Sequence, residues 1–268
     1  MIHCIRRLQK AEHHVHYINV SEARDLPGLR LALTQGVPGP FGMAARAILD
    51  LRNVPYHAVA QLVAQPNEDL LAWTGHRNAP VAVYNDEAPR TGWLDIVNLA
   101  ERLGSGPSLI PTDIRERMLM VALTNEIVGE NGLMWNCRIL MLGLAGPEKA
   151  AEAAKTNPMF NQYGYSRAAA DAALPKVLTT LELLTDQLTR QRDAGSPYLI
   201  GASLTAADVH WVYFSQLLRA FPAERCPMPD GMRRSYEASS AAAGDFDEIL
   251  IDHREGIISA YPSLPMDF

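Results

Sequence analysis

The chain has 268 residues, of which 48% are apolar and 20% charged, and a formal net charge of −6. That length permits one large domain or two small ones with a sizeable core. The acidic balance, without any block of basic residues, argues against a nucleic-acid partner, and no run of about 18 apolar residues is present to span a bilayer.

Residues 1–28 read as a polar extension carrying His13, His14 and His16, closed by a turn at Pro27-Gly28. The three histidines sit close enough to offer two ligands to a divalent metal, but a solvated arm is the simpler reading, and no metal is expected. From Leu29 the pattern sharpens. Leu29 to Leu33 alternates as a strand does, and Pro40 to Asn53 reads as a helix with proline at its first position. Phe41, Ala44, Ala45, Ile48 and Leu51 share one face of that helix, and Arg46 and Asp50 pair on the other. Val54-Pro55 ends it.

Tyr56 to Gln61 reads as a second strand, followed by a loose stretch through Trp73-Thr74-Gly75. Pro80 to Tyr84 reads as a third strand and Thr91 to Leu103 as a helix with Trp93, Ile96, Val97, Ala100 and Leu103 on one face. This order makes a compact α/β layer over residues 29–104. Gly104-Ser105-Gly106-Pro107 reads as a linker, and residues 105–268 read as all-helical. Asp113 to Leu144 is one long helix or a kinked pair, weakened by Gly129, Asn131 and Gly132. Residues 145–166 are at least partly loop, and helices are expected over Ala172–Arg192, Thr205–Leu218 and Asp245–Arg254.

The sharpest local signal is Ser203-Leu204-Thr205-Ala206-Ala207-Asp208-Val209. Thr205 and Asp208 have the spacing of a capping box, which starts a buried helix. Together with Tyr198-Leu199-Ile200-Gly201, this segment resembles the capping-box segment of glutathione S-transferases. Gly39-Pro40-Phe41-Gly42 with Arg46 resembles the Ser-Pro-Phe start of the first helix in many bacterial members. Asn78-Ala79-Pro80-Val81 resembles the loop that carries the family's cis-proline, and Ala100-Glu101-Arg102-Leu103 the end of the third helix. The ordered set spans residues 29–220. It implies an α/β thioredoxin-like N-terminal domain, an all-α C-terminal domain and a two-fold homodimer.

The resemblance also implies where glutathione would sit. Its thiol would lie against backbone amides at Gly39, Phe41 and Gly42, its cysteinyl backbone against Ala79 and Pro80, and its γ-glutamyl end against Thr91 and Gly92. This sequence departs from the family at two of those places. Gly39 stands where the family has a serine, and Thr91-Gly92 where it has an acidic residue followed by serine. Thr91 can cap its helix, and Asp95 lies one turn on.

The resemblance implies that the helix carrying Glu126 and Glu130, which are four apart, lines the pocket for a second, small-molecule substrate, and it makes these two carboxylates and Trp135 candidates for that pocket. The plainer reading pairs the two glutamates with Arg117, Arg138 or a partner chain. Tyr17 stands in the extension, where it can supply the hydroxyl missing at Gly39. Cys4, Cys137 and Cys226 are far apart, occupy no family catalytic position and form no CxxC pair, so they read as structural thiols of a reducing, cytoplasmic setting. Two functions remain open: a glutathione-dependent enzyme acting on a small electrophile, and a transferase-like protein without glutathione that serves as a binding or structural dimer.

Overall fold

A computed structural model describes residues 15–268. Among these, four strands form one sheet: β1 (Tyr17–Ile18), β2 (Leu29–Thr34), β3 (Tyr56–Gln61) and β4 (Val81–Tyr84), in the order β1-β3-β2-β4. β1 and β2 run parallel to β3, and β4 is antiparallel to β2. The register sets Tyr17, Ala58, Leu31 and Ala82 in one row across the sheet, and Ile18, Val59, Ala32 and Val81 in the next. Successive residues of a strand face opposite sides, so these rows belong to two packing layers.

The layer on the side of Tyr17 takes α2 (Pro40–Leu51) and α4 (Trp93–Leu103), and its core runs without a break into the helices that follow. The other layer takes α1 (Val20–Ala23) and α3 (Glu68–Thr74) on a smaller core of Ala23, Ala32, Val59, Leu70, Val81 and Val83. Both β1 and α1 fall in the stretch read as a polar arm. The short helix is started by a capping box in which Asn19 accepts from the Glu22 amide and Glu22 accepts from the Asn19 amide. His13 and His14 lie outside the described residues, and His16 is exposed. The loose stretch after β3 also contains structure, since α3 runs through it to a left-handed cap at Gly75. Only Leu70 and Thr74 of α3 are buried, too few to give a period in sequence.

The connection after α4 is anchored rather than loose. The amides of Ser105 and Gly106 both donate to the Arg52 carbonyl, while the Arg52 side chain donates to the carbonyls of Glu101 and Gly104. A Cβ on Gly106 would stand 2.2 Å from the Leu51 carbonyl oxygen, so only glycine allows this approach.

Beyond it the described chain is helical: α5 (Ile114–Val128), α6 (Leu133–Gly143), α7 (Pro147–Ala153), α8 (Pro158–Gln162), α9 (Arg167–Asp193), α10 (Ala206–Phe214), α11 (Asp230–Ala243) and α12 (Ile249–Ala260). The long helix or kinked pair is a pair, broken at Gly129–Gly132. α7 and α8 each begin on a proline, which needs no amide partner at that position. α9 starts earlier than its apolar period, at the Ser166 cap. α10 gives way at Ser215 to a short 3₁₀ turn. The last helix begins at Ile249, later than the sequence suggests, and α11 was not anticipated.

α10 is the centre of the helical half, with every residue buried. Trp211, Tyr213 and Phe214 are fully enclosed, each contributing on the order of 1.5–3 kcal/mol or more by area. Thr205 and Asp208 form the capping box at its start. The Asp208 carboxylate accepts from the Thr205 amide and hydroxyl, both at 2.8 Å, and from the Leu199 amide at 2.7 Å. His253 of α12 brings Nε2 to 3.1 Å from the same carboxylate.

Candidate functional site

The start of α2 is open. Gly39 is its cap and gives no side-chain bond, Pro40 has no amide hydrogen, and the first amide with a helical partner is that of Met43, bonded to the Gly39 carbonyl. The amides of Phe41 and Gly42 therefore have no backbone partner among the described residues. They carry the positive end of a 12-residue helix. The start of α4 has the same character. Its cap is Gly92 rather than Thr91, again with no side-chain bond. In place of a cap, Asp95 bends back, so that a Cβ on Gly92 would lie 2.6 Å from Asp95 Oδ2. Between these two helix starts runs the loop with the cis Ala79–Pro80 bond.

A cleft of about 600 Å³ joins the two ends. Its walls bring together Phe41, Ala79, Pro80, Thr91, Gly92, Glu130 and Trp135 from the residues singled out in sequence. Tyr163, after α8, closes one side with its ring 4.8 Å from Trp135. A smaller pocket of about 110 Å³ lies beside it and holds Gly39, Phe41, Gly42 and Ala79.

Glu126 does not reach either cavity. It is exposed on α5, whereas Glu130 lies past the end of that helix, so the two do not share a helical face. The glycine break that splits α5 from α6 separates them. Neither is paired with Arg117 or Arg138 by any ion pair found among the described residues.

Further groups complete the site, and of these only Tyr17 was assigned to it in sequence. Tyr17 lines the smaller pocket with Gly39, because β1 brings it to the α2 side of the sheet. Burial raises its pKa, so it stays a hydroxyl donor at neutral pH. Arg46 turns inward instead of pairing with Asp50 outside. Its Nε donates to the Tyr56 hydroxyl at 3.2 Å and its Nη1 to the Asp267 carbonyl at 2.6 Å, with the Asp267 carboxylate at 3.3 Å. Burial opposes the Arg46 charge, but Tyr56 and Asp267 more than offset this and raise its pKa. Asp267 and Phe268, far off in sequence, thereby become walls of the smaller pocket. The capping pattern at Asn19 and Glu22 was the one signal that marks structure near Tyr17. Nothing local marks the tail.

His210 lies beneath the cleft, in a small cavity shared with Phe41, Pro80, Thr91 and Trp93. Its Nδ1 is 2.7 Å from the Ala206 carbonyl, and burial lowers its pKa to about 4. The ring is therefore neutral at pH 7, with the proton on Nδ1 facing that carbonyl. Cys137 and Cys226 are buried and free, and burial raises their pKa values to about 12 and about 11. Such thiols are poor nucleophiles. Among the described residues no cluster of three or more His, Cys, Asp or Glu able to hold a metal is found, and no helix is long and apolar enough to cross a membrane.

No family model matches the sequence, and no curated protein matches it. Solved structures do. A Tau class glutathione S-transferase from mango, Mangifera indica, aligns over 89% of this chain and 99% of its own at 19% identity and a TM-score of 0.51. A glutathione S-transferase domain-containing protein from Marinobacter aquaeolei covers 88% of this chain and 100% of its own, at 16% identity and a TM-score of 0.59. A glutathione transferase family member from Pseudomonas fluorescens, solved with two glutathione molecules bound, covers 91% and 95%, at 14% identity and a TM-score of 0.61.

Proposed function

We propose that this chain, which has the fold of the glutathione S-transferases, binds glutathione in the cleft between α2 and α4 and directs its thiolate at a small electrophile. The observation that carries the reading is the pair of amides, Phe41 and Gly42, that have no backbone partner among the described residues, beside the Ala79–Pro80 loop. Helix-start amides stabilise a thiolate or carboxylate. In this reading Ala79 pairs with the cysteinyl backbone, the open start of α4 at Thr91 and Gly92 receives the γ-glutamyl carboxylate, and Asp95 receives the ammonium. The thiol proton leaves to solvent and the sulfur forms a bond to an electrophilic carbon; that carbon either releases a leaving group with its bonding pair, or the π pair of its conjugated bond moves to the far atom, which takes a proton from solvent.

The Tyr17 hydroxyl supplies the donor absent at Gly39, because both line one pocket. The smaller pocket suits the electrophile, with Trp135 at the edge of the cleft. The free buried thiols fit a reducing compartment, and we place the protein in the cytoplasm.

A calorimetric titration with glutathione tests the reading, with ultraviolet absorbance reporting bound thiolate. Tyr17→Phe should lower the thiolate fraction and Gly39→Ser should raise it, since a hydrogen bond to a charged group is worth about 1.5–3 kcal/mol, a factor of ten or more. A Cβ at Gly39 has its nearest neighbour, the Val37 carbonyl oxygen, at 4.0 Å, so the serine fits without strain. If neither the wild type nor Gly39→Ser binds at millimolar glutathione, the second reading takes over, a binding or structural dimer. The side-chain caps missing at Gly39 and Gly92 favour that reading.

A further inference from the structure

We infer that the smaller pocket takes a substrate with an apolar body and a carboxylate, and that the Arg138 guanidinium receives the carboxylate. The chemistry that follows rests on the glutathione reading, but the binding does not.

Arg138 projects from α6 and lines the pocket together with Gly39 and Phe41 at the start of α2. Its neighbours locate the guanidinium. The Met141 thioether sulfur is 3.6 Å from Nη1, and the Tyr163 ring centre is 6.0 Å from the guanidinium carbon. Burial raises the pKa of the Tyr236 hydroxyl and the Arg138 charge beside it pulls the other way. That hydroxyl donates to the Pro38 carbonyl at 3.2 Å, which ties this group of side chains to the loop leading into α2.

None of these neighbours is negative, and no carboxylate is paired with Arg138 among the described residues. The side chain is half-buried. A cation partly removed from water and facing no anion is costly, and an anion seated opposite recovers that cost. The other charges on the wall do not supply it. Asp267 is engaged by Arg46, which leaves two arginines against one carboxylate around the pocket among the described residues. A planar guanidinium also matches a carboxylate with two parallel bonds.

The rest of the wall sets the body of the ligand. Leu33, Val37, Met43 and Phe268 are apolar. The space of about 110 Å³ is near the about 150 Å³ of an apolar cavity that holds a benzene ring.

The test is calorimetry on the full chain without glutathione, using phenylacetate and phenylacetamide, which share a shape and differ in charge. Phenylacetate should bind about tenfold more tightly or better, as expected for one charged hydrogen-bonding group. Arg138→Met should bring the acid down to the level of the amide and leave the amide unchanged, which also shows that the pocket is intact. Arg138→Lys should keep part of the preference. Equal affinity for acid and amide in the wild type overturns the inference, and so does failure of both to bind at millimolar concentration. Since that comparison needs no variant, it decides the matter even if Arg138→Met does not fold. An Arg138→Met protein that loses glutathione binding but keeps its preference for phenylacetate also overturns it, by assigning the guanidinium to a carboxylate of the tripeptide. A wild type that prefers phenylacetate but ignores glutathione sinks the transferase reading and leaves this one standing.

Discussion

His210 shows how one side chain ties the site to the stability of the molecule. It is 2% exposed, held by the Ala206 carbonyl and flanked by the Trp93 ring at 5.4 Å. Its pKa falls from 6.5 to about 4 because burial disfavours the charged form. In the unfolded chain the ring takes a proton as pH drops below 6.5, while in the folded chain it stays neutral until about 4. The unfolded state therefore binds more protons across that window, and stability falls as pH falls through it. A shift of this size is worth about 3 kcal/mol in all, to order of magnitude. Urea melts at a series of pH values should show this slope between about pH 6.5 and 4, and His210→Phe should flatten it. An unchanged slope would mean that other groups carry the acid sensitivity.

Capping acts at the scale of the element, and here its two halves are unequal. Thr205→Ala removes one hydroxyl, and the expected cost is about 1 kcal/mol. The sequence suggests a comparable cost for Asp208→Ala, since each residue supplies half of a box. The structure changes that expectation. Asp208 also accepts the Leu199 amide and faces His253, so its loss strands several buried donors and loosens α12 from α10. The cost should be about 3 kcal/mol or more, since each buried donor left without an acceptor costs about 1–3 kcal/mol. Denaturant midpoints of the two variants test the asymmetry, and equal shifts would refute it. The same contrast appears at the start of α4, where Asp95 folds over Gly92 instead of leaving Thr91 to cap.

At the scale of the whole molecule, α5 presents apolar side chains to solvent. Ile114 and Met118 lie one turn apart and are 55% and 66% exposed. Exposed apolar side chains in a row mark a contact surface more often than scattered ones do. We propose a two-fold homodimer that covers this row. Light scattering at micromolar concentration should give about twice the chain mass of 29.5 kDa, and Met118→Glu should shift the protein towards monomer. A monomeric wild type would remove the dimer from both functional readings.

The sequence by itself determined the elements that rest on local chemistry. Proline at the head of α2, the Thr205–Asp208 spacing and the alternation of β2 depend on neighbours within a few residues, and they appear where the residues point. The fold, and the expectation that Phe41, Ala79, Pro80, Thr91 and Gly92 lie close together, came from the resemblance that the ordered motifs carry, and these residues line one cleft. Only the tertiary structure decided the rest of the site. Tyr17 reaches Gly39 because a two-residue strand pairs with β3, and a pairing that short leaves no period to read. Arg46 is drawn inward by Asp267, 221 positions away in the chain, and Glu126 parts from Glu130 where α5 ends. Arg138 acquires its meaning from the carboxylates that do not approach it. A side chain's partners across the fold are set by packing between distant segments, and no local pattern encodes them.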